Sequence, residues 1–180
     1  MKLANFSLNH MGIYVIDIDT MSDFYTSFFG FVITDRRDSP NPIRFLTMTP
    51  TEHHQLLLAS GRDPRTPTTL HQMSFLLEDF AALRRVHDAA QADPRISDIR
   101  GLDHGNSWAL YFKDPEGNTV ECYVHTDWHV DQPYGRPIDF SLSDQEIHDK
   151  THAEVLENPT FMSAEAAQSR LERQLADAAA

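Results

Sequence analysis

Only one cysteine, Cys122, occurs in 180 residues, so no internal disulfide can form and a disulfide-stapled scaffold is excluded. Basic residues are also scarce, 15 against 27 acidic, which gives a formal charge of −12. A surface that negative repels phosphate backbones and anionic lipid, so neither nucleic acid nor a membrane surface is an expected partner. No apolar run approaches the roughly 18 residues of a membrane span. The opening Met1-Lys2-Leu3-Ala4-Asn5 has no apolar signal core behind its lysine. With the lone cysteine, this makes the cytoplasm the expected compartment.

What is present suffices for a core: 41% of residues are hydrophobic and 10% aromatic. The length fits one domain with an appendage. Ten histidines are the unusual count, and their positions matter more than their number.

The run from Ser7 to Val15 reads as a strand. A helix capped by Asp19 or Thr20 extends through Phe29, with Met21, Phe24, Tyr25, Phe28 and Phe29 on one stripe and Gly30 as its stop. Strand-like runs follow at Phe31–Arg36, Ile43–Met48 and His53–Ala59. After a loop rich in proline and threonine, the same order returns. His71–Leu77 reads as a strand, about Glu78 to Gln91 as a helix, and Ile96–Gly101, Ser107–Phe112 and Thr119–His125 as strands. The repeated order predicts an internal duplication, with repeats at about 7–60 and 70–126. Residues 127–180 form an extended and helical tail, with helices over Ser143–Glu157 and Ser163–Ala178; Ser143 and Glu146 have capping-box spacing. This tail is expected to pack on the module or on a partner subunit.

Two histidines and one carboxylate on one face of a metal leave open positions for substrate and dioxygen, the pattern of non-haem ferrous oxygenases. His10 lies in the first strand of the first half and His71 opens the equivalent strand of the second. Glu121 lies on the last strand, with Cys122 turned to the other face. Taken singly, each histidine also fits a structural role.

Together with the run Tyr111-Phe112-Lys113-Asp114-Pro115-Glu116-Gly117-Asn118-Thr119-Val120-Glu121, this arrangement resembles the vicinal oxygen chelate superfamily, where a DP-x-GN turn leads into a ligand glutamate. The resemblance covers residues 7–126. It implies an α+β fold in which two βαβββ repeats form one open eight-stranded cup around a metal held by His10, His71 and Glu121.

Within that superfamily the chain is most similar to type I extradiol ring-cleavage dioxygenases. His54, in His53-His54-Gln55-Leu56-Leu57-Leu58, matches their acid–base histidine, His104 a histidine before the final hairpin, and Tyr111 a tyrosine ten residues ahead of the glutamate. The step from His104 to Tyr111 is two residues shorter than is usual there. The commonest members carry two such modules, and this chain carries one. The resemblance implies a catechol-type diol and O2 as substrates, Fe(II) or alternatively Mn(II) as the cofactor, and a homo-oligomer as the assembly. His54 would move protons, while His104 and Tyr111 would bond the substrate oxygens. Two alternatives remain open at this point. One is a glyoxalase-like lyase or isomerase with Gln55 as a fourth ligand. The other is a non-catalytic small-molecule-binding member.

Overall fold

Pairing begins at Met11, whose amide bonds Gln55 O at 3.0 Å, in a computed structural model that describes residues 6–179. Residues 1–5, where the absence of a signal core was read, lie outside the described residues. The chain divides into two units. Of the described residues, the first comprises 6–71 together with Asp114–Asn118; the second comprises 72–113 and 119–179.

The first unit contains β1 (Met11–Val15), α1 (Ile18–Phe29), β2 (Val32–Arg37), β3 (Ile43–Thr47) and β4 (Leu56–Ser60). Its sheet order is β1-β4-β3-β2, with β1 parallel to β4. The expected stripe folds as predicted at its centre: Met21, Phe24 and Tyr25 are fully buried, as are Leu46 and Leu58 on the sheet. Each such side chain contributes roughly 1.5–3 kcal/mol by leaving water. The expected cap is corrected. Asp17, not Asp19 or Thr20, accepts the amides of Asp19 and Thr20. Gly30 ends the helix in the left-handed region, at φ 77°.

The turn Asp114–Asn118 belongs to this unit. Asp114 Oδ1 accepts the amides of Glu116 and Asn118, and Gly117 supplies the positive φ of 78°. Asp114 Oδ2 accepts the buried Tyr25 hydroxyl at 3.0 Å. Glu116 Oε1 accepts the amides of Ile16 and Asp17 at 2.7 and 2.8 Å. Burial, then the Asp114 carboxylate, pushes the Tyr25 phenol well above its ordinary range.

The second unit repeats the order with β5 (Met73–Leu76), α2 (Phe80–Ala92), β6 (Ser97–Asp103), β7 (Ser107–Lys113) and β8 (Thr119–His125). The tail follows as β9 (Trp128–His129), β10 (Arg136–Pro137), α3 (Asp144–Leu156), β11 (Met162–Ser163) and α4 (Ala164–Ala179). The sheet order is β10-β6-β7-β8-β5. It has five strands because the tail adds β10 to β6, a strand absent from the sequence reading. Gly101 leaves the space for this docking: a Cβ there would lie 2.5 Å from Phe140 Cε2. Arg84 clamps the same segment, donating to Phe140 O, Leu142 O and Asp144 Oδ1 at 2.8, 2.7 and 2.5 Å. The Ser143–Glu146 capping box forms as predicted. Among the described residues, no helix is long and apolar enough to cross a membrane.

Three strands start later than expected. β1 starts at Met11, so His10 precedes it rather than lying within it. β4 starts at Leu56, after His53 and His54. β5 starts at Met73, after His71. The register explains the last case. Met73 is opposite Val120 and β8 opens at Thr119, so continuing the ladder back to His71 would reach the Asp114–Asn118 turn.

Candidate functional site

In the first unit His10 packs against His54, with ring centroids 4.4 Å apart and 45° between planes. His54 also lies edge-on to Phe45 at 5.0 Å. Its Nδ1 is 3.1 Å from His53 Nδ1, while His53 Nε2 is 2.8 Å from Asp35 Oδ2. Burial first, then the neighbouring His10 and His53, lowers the His54 pKa and favours its neutral form. His71 is exposed. Gln55 Oε1 accepts the Met48 amide at 2.9 Å, so its carbonyl oxygen is already engaged.

In the second unit one row crosses four strands. Ser74 on β5 is opposite Glu121 on β8, Glu121 is opposite Tyr111 on β7, and Tyr111 is opposite Arg100 on β6. Cross-strand partners share a pleat face, so all four side chains lie on one side of the sheet. Cys122 points to the other side, where burial and the Glu121 charge push its thiol up to about 12 and leave it unreactive.

The buried Glu121 carboxylate is held by three donors. Tyr111 donates to Oε1, and Ser74 and Gln72 donate to Oε2, Gln72 at 2.5 Å. Burial, then the bond to Glu121 and its charge, raises the Tyr111 phenol well above its ordinary range. His104 extends the chain: its Nε2 is 3.0 Å from the Tyr111 hydroxyl and its Nδ1 is 2.9 Å from Tyr134 O.

Counting protons constrains this chain. A carbonyl only accepts, so Nδ1 of His104 carries a hydrogen. Neutral His104 and Tyr111 supply two hydrogens for three contacts. The third contact therefore has no hydrogen of its own from these two side chains.

The sequence reading missed Gln72 and Ser74. The signal was the period-2 alternation through Gln72, Ser74 and Leu76, readable only once β5 is registered against β8.

As for a metal, the donor chemistry of His10, His71 and Glu121 suits a divalent first-row ion. Glu121 Oε1 accepts one hydrogen bond and keeps a lone pair for coordination. Ligand carboxylates are commonly oriented by such hydrogen bonds. His10 and His71 belong to the first unit and Glu121 to the second. Among the described residues, no group of three or more His, Cys, Asp or Glu side chains is already gathered so as to hold a metal ion within this chain.

The sequence of residues 7–122 matches the family described as the Glyoxalase/Bleomycin resistance protein/Dioxygenase superfamily. No curated protein matches the chain. Solved structures share the fold. FosX, a fosfomycin resistance protein from Listeria monocytogenes complexed with Mn(II) and sulfate, aligns at 14% identity with a TM-score of 0.53, covering 69% of this chain and 95% of its own. A glyoxylase/bleomycin resistance protein/dioxygenase domain from Frankia sp. EAN1pec aligns at 21% identity and 0.52, covering 69% of this chain and all of its own. A glyoxalase family protein from Enterococcus faecalis aligns at 18% and 0.50, with coverages of 64% and 94%.

Proposed function

Because the chain belongs to the glyoxalase/bleomycin resistance protein/dioxygenase superfamily, we propose that it is an extradiol dioxygenase. It would insert O2 into a catechol-type diol with Fe(II) held by His10, His71 and Glu121. The observation that carries this reading is the hydrogen-bonded chain Glu121–Tyr111–His104 on one sheet face. It provides a carboxylate for a metal and, beside it, a phenol and an imidazole able to bond and move protons at a substrate oxygen. Iron, when bound, supplies chelation of the two vicinal oxygens and activation of O2. Mn(II) accepts the same donors, and the manganese in the FosX neighbour supports a divalent ion in this fold.

The residues then divide the work. His54, biased toward its neutral form, takes a proton from the diol and returns one later in the cycle. Tyr111 and His104 hold the substrate oxygens in position. The retained donors argue against a purely sequestering protein.

The test is oxygen uptake by ferrous-loaded protein, prepared without air, with a panel of catechols. Stoichiometric uptake with a yellow ring-opened product supports the reading. No uptake by any diol at full iron occupancy removes it.

A further inference from the structure

We propose that Arg100 is the specificity residue for a carboxylate on the substrate, so that the diol taken is an anionic, acid-bearing catechol. The inference rests on the dioxygenase reading for the word catechol, but the anion contact comes from the fold alone.

The position of Arg100 depends on an irregularity. The β6–β7 ladder runs from Ser97 opposite Lys113 to Arg100 opposite Tyr111, three steps on one strand against two on the other. Within that bulge Asp98 has φ 55°. An unbroken ladder counted from Ser97 would set Ile99 opposite Tyr111 and send Arg100 to the other face. The extra residue reverses the parity and brings a cation onto the Ser74–Glu121–Tyr111 row. Re-aiming a side chain beside a site is a recurrent use of such bulges.

The guanidinium is held there without being neutralised. Its Cζ lies 5.4 Å from the centroid of the Tyr111 ring. In a chain with 27 acidic residues, Arg44, Arg62, Arg84 and Arg95 each lie within 4.0 Å of a carboxylate. Among the described residues Arg100 forms no ion pair, and it is exposed. An arginine held over an aromatic ring by a cation–π contact, with no carboxylate partner, keeps its guanidinium donors free for a bidentate carboxylate.

The spacing fits an aromatic acid. Arg100 and Glu121 are two strand positions apart, roughly 10 Å between backbones. That is about the length of a ring with a short acid side chain. A diol whose oxygens meet the Tyr111–Glu121 end would direct its carboxylate toward Arg100.

The experiment is isothermal titration of iron-loaded full-length protein under nitrogen, with catechol, 3,4-dihydroxyphenylacetate and 3-(2,3-dihydroxyphenyl)propionate. The wild type is expected to bind at least one of the two acids about 10- to 100-fold more tightly than catechol, the range of a charge-assisted pair. Arg100→Gln should remove that margin with catechol affinity unchanged, and Arg100→Lys should keep part of it. Circular dichroism of each variant verifies folding. The proposal fails if the wild type prefers catechol, or if Arg100→Gln keeps the margin. It also fails if that variant weakens all three ligands alike, which would make Arg100 a support for the Tyr111 ring. If the margin behaves as expected while no diol consumes oxygen, the anion contact stands and the dioxygenase reading falls.

Discussion

Tyr111 and Glu121 face each other across the β7–β8 ladder, and the tyrosine hydroxyl donates to carboxylate Oε1. The bond orients the glutamate, and Tyr111 also joins Glu121 to His104. Tyr111→Phe removes the donor and keeps the ring. The variant should fold normally and bind its metal about 10- to 100-fold more weakly, as for loss of an orienting partner. Metal titration followed by dialysis measures this, and wild-type affinity would show that Gln72 and Ser74 suffice.

Metal content tests the ligand set itself. His10→Ala and Glu121→Ala should each abolish binding of about one ferrous ion per chain. His71→Ala and Gln72→Ala should be compared directly, because Gln72 touches Glu121 while His71 precedes the strand. If His71 is the ligand, its removal abolishes binding and Gln72→Ala only weakens it. The reverse result would move the assignment by one residue.

His54→Phe should keep iron and still bind a catechol, yet lose about 10²- to 10⁴-fold in turnover, the usual range for a positioned acid–base group. His53→Phe is the control. His53 is exposed and already tied to Asp35, so its loss should cost far less. Equal activity in both variants at matched iron content would remove His54 from the proton path.

Asp103 sets a pH dependence of stability. It is fully buried; Oδ1 accepts the Gly105 amide and Oδ2 has no partner. Burial raises its pKa to about 6, against an unfolded value of about 3.9. A raised acid favours the fold while protonated, so its contribution is full below about pH 4 and lost as pH rises through about 6. Asp103→Asn cannot ionise. Relative to wild type, it should gain about 1–3 kcal/mol between pH 4 and pH 8, read by urea unfolding. Parallel pH profiles would contradict the buried acid.

Assembly is tested by light scattering. Leu171 and Leu175, one turn apart on α4, are 54% and 63% exposed and offer an apolar stripe for a second copy. A dimer is expected at micromolar concentration, with the double change to Glu giving monomers that remain folded. A monomeric wild type would exclude the stripe as an interface.

Much of the fold was legible because its signals are local. The α1 stripe, Gly30, the capping box at Ser143 and the Thr119–His125 strand depend on neighbours within one or two turns or one alternation. The starts of β1, β4 and β5 were not legible, because each depends on where a distant partner strand begins. For β5 that partner is over forty residues away in sequence. The same limit hid Gln72 and Ser74 beside Glu121. Arg100 was hidden for another reason: a bulge reverses strand parity, and alternation read through it gives the wrong face.

The Asp114–Asn118 turn bears on how this gene can be divided. The two repeats invite a cut in the proline- and threonine-rich loop, as if each half were a separate module. A fragment ending at residue 71 would lack Glu116, leaving the Ile16 and Asp17 amides uncapped, and Asp114, leaving the buried Tyr25 hydroxyl without its acceptor. If two ancestral copies fused, the first has since come to depend on five residues encoded within the second. Split reporters, circular permutants and domain grafts built on this chain must therefore carry that pentapeptide with the first repeat.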